Sequence, residues 1–594
     1  MASTVERKAN GEIIYGPANF VDVPNVDLMT LLFESETCRV PADTIIHADA
    51  AEPANNLTKA RLLQLSKRAA NVFRYQYGIG ANGPNQDVVF NISTGHFMIP
   101  VMFYAAITAG GIFSSTSPAA TPDELAYQLR QTDAKVIVCT ADVKATALAA
   151  AEKVGLGPRN VLVYGGTRDL ELLEAASGAR VPISNVELDW RRITDPVELE
   201  NSVICLLFSS GTTGMPKAMR LSHRNSVAAS VLVLEPAKKY NKENKPPGYK
   251  CKFIFKNTMD TSLAHVPAAH IAGVQSYLVN NCYLGGTCYW MQRFDFPKFC
   301  EYAKKYKVTT MFTVPPIYLL IAKSPLVKDH FDTWDDAVSG AAPMGQDLQV
   351  EVGKKLGRGT TLVRQTWGLS ETTGSITIAP LGSNQIAPPG SVGSLIANCY
   401  ARLVDDNEKD VEPGQAGEIW VRGPVVTKGY WKNEKANKDS FRDGWFCTGD
   451  IAVFKDGFFF IVDRKKELIK YKGNQVAPAE LEAVLLSHPK ILDAAVIGVP
   501  GEGTELPRAY VVANQKEISA KDIIEWFGKQ GLARPGVLSL SSFSSLGMAL
   551  ISRVNRGPVS ATLSGGGDAD IGLSTISSGG GYNYGENTID SALC

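Results

Sequence analysis

The chain lacks a dominant charge. Its 60 Lys plus Arg are balanced by 60 Asp plus Glu, which argues against general nucleic-acid binding while leaving room for a local basic groove, and no nucleic-acid partner is expected. It also lacks paired-cysteine spacing. The ten cysteines stand singly, with no C-x-x-C among them, which argues against zinc and disulfide frameworks and for a reducing compartment. Long apolar runs are missing too. The longest, Phe97 to Phe113, contains Pro100, Gly110 and Gly111 and is expected to be a buried helix, with no membrane span. The opening MASTVERKANGEIIYG has no apolar signal-peptide core, so a soluble cytoplasmic protein is the expectation. Finally, no lysine follows Lys529, and residues 531–594 hold 12 Gly and 12 Ser. Such a stretch has too little apolar surface to offset its ordering entropy, and it reads as mostly disordered.

What remains is ordinary for a globular protein, 45% hydrophobic and 20% charged, and at 594 residues it is long enough for two or more domains. Strand and helix signals alternate. Val88 to Ile92 and Ala134 to Cys139 read as buried strands, and Arg61 to Tyr77 and Pro122 to Thr132 as helices. That alternation predicts an α/β architecture with largely parallel sheets. A charged turn, Asp463-Arg464-Lys465-Lys466, follows an aromatic strand and reads as a hinge. Beyond it lie a helix at Pro478 to Ser487, a strand at Ala494 to Ile497 and a helix at Asp522 to Lys529.

The chemistry concentrates in FSSGTTGMPKAMRLSHRN, residues 208–225. Gly211 and Gly214 permit close backbone approach, and Ser209, Ser210, Thr212 and Thr213 add hydroxyl donors to backbone N–H groups. Lys217 supplies a mobile positive charge. The loop suits phosphate oxygens, and it is not a Walker A loop, because Met-Pro-Lys follows Gly214.

This run resembles the phosphate loop of the adenylate-forming (AMP-binding) superfamily. Further motifs follow in family order: SGAAPMG (339–345), QTWGLSET (365–372), GEIWVRGPVVTKGYW (417–431), DGWFCTGD (443–450) and DGFFFIVDRKKELIKYKGNQVAPAELE (456–482). The resemblance covers roughly residues 50 to 530 and is nearest to acyl- and aryl-CoA ligases of the 4-coumarate–CoA ligase-like branch. It implies a large multi-subdomain adenylation domain with a small, mobile α+β C-terminal domain, here truncated. The expected divisions are an N-terminal extension at 1–50, the large domain at 51–463, the small domain at 464–530 and an atypical tail at 531–594.

The implied reaction joins ATP to a carboxylic acid, releasing pyrophosphate, and then passes the acyl group to CoA. ATP, Mg²⁺ and CoA are therefore the implied cofactors, and a small-molecule acid the implied partner. For ATP, the resemblance assigns Ser209 to Gly214 and Lys217 to the phosphates, together with Gly340, Ala341, Ala342, Gln365, Thr366, Gly368 and Ser370. Trp367, where the family more often has Tyr, would stack on adenine. Asp450 and Arg464 would take the ribose, and Glu371 the Mg²⁺. The acyl pocket would hold His270, Gly273, Gly340 and Thr366. Relatives near 4-coumarate–CoA ligase carry Phe and Gly where Ala269 and Thr366 stand, which argues against a hydroxycinnamate. Lys470 and Gln475 would act in thioester formation, Lys466 would be the hinge, and Arg293, Lys472 and Gly473 would meet CoA.

One departure stands out. The family's small domain ends in a Pro-Lys-x-x-x-Gly-Lys-type segment whose last lysine assists adenylation, and none is found after IIEWFGKQ. The change is as abrupt as a shifted frame or retained intron would make it. Two other readings follow: a stand-alone adenylating enzyme that loads a carrier protein, and a catalytically impaired nucleotide-binding relative. The resemblance also leaves a peroxisomal location open, although this chain closes on Ser-Ala-Leu-Cys where related ligases often carry a Ser-Lys-Leu-type signal.

Overall fold

The computed structural model describes residues 2–38, 40–165, 169–209, 215–244, 261–379, 387–471, 474–501, 504–514, 516–528 and 547–551. For 236–244, 474–475, 501 and 547–551 it describes the backbone alone.

Local sequence sets the first layer. The helix Pro122–Thr132 starts where Thr121 and Glu124 exchange side-chain-to-backbone hydrogen bonds, satisfying two of the first turn's orphan donors. The helix Lys59–Tyr77 is capped by Thr58 and ends at Gly78, whose φ of 70° suits glycine. The apolar run 97–113 divides in two. Ile99–Thr108 is a wholly buried helix, and Ile112–Thr116 begins a buried strand after Gly110 turns the chain. No helix among the described residues is long and apolar enough to cross a membrane.

The first sheet has seven strands, in the order Lys217–Ser222, Val203–Ser209, Ile112–Thr116, Val88–Ile92, Ala134–Cys139, Val161–Tyr164 and Leu172–Glu174. The inner strands are parallel and the two outer ones antiparallel. Val88, Phe90 and Ile92 enter one core cluster and Val89 another. Helices therefore cover both faces, as a parallel sheet requires. A second sheet runs Thr310–Thr313, Asp336–Ser339 and Val363–Leu369 in parallel, then adds Gly374–Ile378 and Ser394–Leu395 antiparallel. A four-stranded sheet joins Thr261–Ala264, Thr287–Trp290, Ile45–Asp49 and Asn56–Thr58.

A third large sheet departs from the mainly parallel expectation. It pairs Thr4–Arg7, Ile13–Gly16, Tyr400–Val404, Ala416–Arg422 and Trp445–Lys455 antiparallel, with Phe441–Arg442 and Phe458–Arg464 also against Trp445–Lys455. Two-residue Asp-Gly turns account for the tight hairpins. Asp443-Gly444 and Asp456-Gly457 have φ of 47° and 81°, and 53° and 87°, the positive values that match strand twist. Residues 4–16 and 45–49 are thus strands of two sheets.

The C-terminal part has its own core, built from Ile469, Tyr471, Leu481, Leu485, Val511 and Phe527 among others. A hairpin, Ile469–Tyr471 with Asn474–Val476, precedes the helix Pro478–Ser487, the paired strands Ile491–Gly501 and Thr504–Ala513, and the helix Ala520–Gly528. The tail contributes a strand. Gly547–Ile551 forms a third strand, parallel to Thr504–Ala513, with Arg508 opposite Gly547 and Val512 opposite Ile551. The reason lies in Met-Ala-Leu-Ile, an apolar run inside a Gly/Ser-rich stretch. The rest of 531–594 is outside the described residues.

Candidate active site

The antiparallel strands Val203–Ser209 and Lys217–Ser222 flank the candidate phosphate loop, with Ser209 directly opposite Lys217. Ser210, Gly211, Thr212, Thr213 and Gly214 lie outside the described residues. Lys217 Nζ sits 5.1 Å above the ring of Tyr430, and the Tyr430 hydroxyl donates to Glu371 Oε1 at 2.8 Å. Three distant motifs meet in that chain of contacts. Glu371 is buried in the turn Ser370–Thr372, and its carbonyl accepts from the Thr427 amide at 2.8 Å. Burial pushes its carboxyl above the ordinary range, against the pull of the Tyr430 hydroxyl, Arg464 and Lys217. A buried carboxylate two contacts away from Lys217 is the oxygen donor a hard cation such as Mg²⁺ takes.

The second cluster couples an indole, a carboxylate and a guanidinium. Trp367 Nε1 donates to Asp450 Oδ2 at 2.7 Å. Asp450 pairs across its hairpin with Arg464, whose Nε is 3.6 Å from Oδ1. Burial raises the Asp450 carboxyl to about 6, while the indole N–H and Arg464 hold it down. Such a carboxylate can accept sugar hydroxyls once ionised. Gly368 sits at a register shift where an added methyl would come 1.8 Å from the Gly374 carbonyl oxygen, so only glycine fits. Gln365 is turned elsewhere. Its amide donates to the Met344 carbonyl and Gln349 Oε1, both at 3.2 Å, and so braces the strand. Ala341 (φ 70°) and Ala342 are exposed at the loop after Gly340.

On the acyl side, His270 caps a short helix, its Nδ1 accepting from the Ala272 amide at 3.2 Å. Nε2 is therefore the nitrogen available to a ligand. The ring is reached by solvent yet densely surrounded, and desolvation lowers its pKa, so it is neutral at neutral pH. Gly273 has a backbone role: an added methyl would lie 2.2 Å from the Pro267 carbonyl oxygen. Gly340 and Thr366 adjoin each other and Phe312. His265, in the same motif, is a core residue, with Nε2 at 2.7 Å from Thr313 Oγ1.

Lys470 and Gln475 stand opposite each other in the hairpin that opens the C-terminal part. Lys470 is exposed, while the side chain of Gln475 and all of Lys472 and Gly473 are outside what is described. Lys466 is exposed in the turn that follows Arg464. Its neighbours fix that turn: Lys465 Nζ lies 3.1 Å from Glu418 and 2.9 Å from Asp406, and Asp463 accepts from the Ala479 amide. Arg293 is paired with Asp142 at 3.2 Å. Tyr430, Phe312 and Asp142 went unassigned in sequence. Tyr430 lies inside the motif GEIWVRGPVVTKGYW, whereas Phe312 and Asp142 carry no sequence signal of their own.

The sequence model of the AMP-binding enzyme family matches residues 34–431, and that of its C-terminal domain matches residues 480–537. The chain belongs to the AMP-binding enzyme family. The C-terminal match runs past Gln530, where the family pattern was expected to stop. A protein of Emericella nidulans named "Putative acyl-coenzyme A synthetase" is 43% identical over 524 residues, covering 87% of this chain and 92% of the relative. A phenylacetyl-CoA ligase of Aspergillus niger is 30% identical over 517 residues, covering 85% and 91%. Among solved structures, ATP-bound MatB from Rhodopseudomonas palustris superposes with a TM-score of 0.71 at 24% identity, over 88% of this chain and 94% of that one. That likeness concerns the fold.

Proposed function

We propose that the chain is an AMP-forming acid–thiol ligase that converts a carboxylic acid to its acyl-CoA at the expense of ATP. In the first half-reaction an acid carboxylate oxygen attacks the α-phosphorus of ATP, and pyrophosphate leaves. In the second, the CoA thiol attacks the acyl carbonyl, AMP leaves, and the thiol proton passes to base or solvent.

The observation that carries this reading is the Lys217–Tyr430–Glu371 chain, which joins a phosphate loop to a buried carboxylate. Attack of one anion on another needs neutralised charge and alignment. Lys217 and the loop 209–214 hold the leaving phosphates, with Ser370 beside the α-phosphate. Glu371 would hold Mg²⁺, which supplies charge neutralisation on the phosphate oxygens. Asp450 and Arg464 take the ribose, with Trp367 beside the base. Neutral His270 stands by the acid carboxylate. Lys470 and Gln475 serve thioester formation after the small domain, 464–530, turns on Lys466 against the large one, 51–463. Arg293, Lys472 and Gly473 receive CoA.

A role in secondary metabolism belongs to this proposal, beside the similarity to fungal acyl-CoA ligases. A reducing compartment, cytoplasm by default, agrees with eight free cysteines among the described residues. The test is isotope exchange between pyrophosphate and ATP. Exchange that depends on added acid and Mg²⁺ supports the reading, and exchange indifferent to acid overturns it.

A further inference from the structure

The carboxyl ends of Thr310–Thr313, Asp336–Ser339 and Val363–Leu369 meet beside the site. Ligands of parallel sheets bind in that position. Phe312 lies opposite Val338, and Val338 opposite Arg364. Gly340 and Thr366, each two residues on, therefore share the face of Phe312. Contact is close there. A methyl on Gly340 would lie 2.9 Å from Phe312 Cε2 and 2.9 Å from Thr366 Cγ2.

Thr366 presents carbon to this space. Its Oγ1 is taken up behind, 2.6 Å from the Thr377 carbonyl oxygen and 2.7 Å from Ser375 Oγ. The Phe312 ring is half-buried, so part of it faces outward from the strand ends. The cation on this face, Arg364, is already neutralised: both Asp336 oxygens accept from its Nη2 at 2.7 Å. The residues on either side of His270's backbone turn, Ala269 and Ala272, add no polar group.

We propose that Phe312, together with the Thr366 methyl, walls the acyl site over Gly340 and selects an apolar monocarboxylic acid. The assignment rests on the ligase reading above and names its substrate class. A ring edge and a methyl offer contact to an unbranched hydrocarbon body. They give nothing to a second carboxylate, which would lose its hydration without gaining a partner. A branch at this depth meets either the ring or the methyl. A single methylene in an apolar pocket discriminates by roughly ten- to two-hundredfold.

The experiment uses the full chain and three acids of matched length: a straight monocarboxylate, a branched monocarboxylate and a dicarboxylate. Acid-dependent AMP formation gives kcat/KM for each. Wild type is expected to prefer the straight monocarboxylate to the dicarboxylate by about a hundredfold or more. Phe312→Ala should raise the branched-to-straight ratio by roughly ten- to a hundredfold while KM for ATP stays within about twofold. Phe312→Leu, which keeps an apolar core side chain, and Thr366→Ser, which keeps both hydroxyl bonds, should shift the ratio the same way by less. An unchanged ratio in all three variants, or equal use of the dicarboxylate, overturns this assignment alone. Failure of the wild type to form AMP with any acid overturns the ligase reading and the assignment with it.

Discussion

The indole N–H of Trp367 donates to Asp450 Oδ2 at 2.7 Å, tying the strand Val363–Leu369 to the antiparallel strand Trp445–Lys455. Both partners are buried. The bond holds the carboxylate in one orientation and leaves Oδ1 beside Arg464, free for the proposed ribose contact. Trp367→Phe keeps an aromatic face and removes only the donor. KM for ATP should rise roughly ten- to a hundredfold, the scale of a hydrogen bond to a charged group (about 1.5–3 kcal/mol). Steady-state kinetics at saturating acid checks this, and an unchanged KM would remove Trp367 from the nucleotide site.

Asp450 also gives the site a pH dependence. Its carboxyl is raised from 3.8 to about 6, chiefly by burial, with Glu467 and Asp463 adding repulsion and Trp367 and Arg464 opposing it. In the proposed role the ionised form accepts the ribose, so KM for ATP should rise as pH falls through about 6, and Asp450→Asn should flatten that limb. For the ligand-free protein the sign is opposite. A raised folded pKa means the folded state holds the proton more tightly. That stabilisation is complete below pH about 4 and is lost as pH rises through about 6. Denaturation of wild type and Asp450→Asn across this window should diverge as pH increases, and parallel curves would sink the assignment.

Charge at the phosphates is tested by two substitutions. Glu371→Gln keeps an acceptor for the Tyr430 hydroxyl, so the fold should persist while Mg²⁺-dependent pyrophosphate release disappears. Lys217→Ala should weaken ATP use far more than acid use, by about two to three orders of magnitude in rate. Near-normal pyrophosphate release in Glu371→Gln would place the metal ligand elsewhere.

The tail invites two constructions. Because Gly547–Ile551 hydrogen-bonds along Thr504–Ala513, deleting residues 531–594 exposes a strand edge and should lower the melting temperature of the small domain. Placing a family-type lysine-bearing segment after Gln530 should raise adenylate formation by about two to three orders of magnitude, the scale for restoring a preorganised charge. Full adenylation activity that depends on the native tail would show that lysine to be dispensable, and attention would turn to Arg534, Arg553 and Arg556.

The candidate site was proposed from sequence because residues suited to phosphate fall close together along the chain. The loop 208–217, Glu371 and Asp450 each sit in a short motif, and the structure links Lys217 to Glu371 through Tyr430. Helix ends were equally readable: Pro122–Thr132 begins and ends where its capping residues put it. Pairings between distant segments were not. Nothing local announces that Thr4–Arg7 joins a sheet with Tyr400–Val404, or that Phe312 faces Gly340. Gln365 and Gly273 also have structural roles that their motifs do not announce: the Gln365 amide donates to the Met344 carbonyl and to Gln349 Oε1, and Gly273 admits the Pro267 carbonyl. The tail strand was hidden by composition, since four apolar residues are diluted by surrounding Gly and Ser.

The most direct measurement is the product balance of the wild-type protein given ATP, Mg²⁺, a straight-chain monocarboxylic acid and CoA. AMP, pyrophosphate and acyl-CoA should appear in equal amounts. With CoA left out, AMP-level product should stop at about one equivalent per enzyme, because the acyl-adenylate stays bound until a thiol arrives. Formation of ADP and phosphate, or nucleotide turnover that ignores the acid, would contradict the assignment of this chain as an AMP-forming ligase.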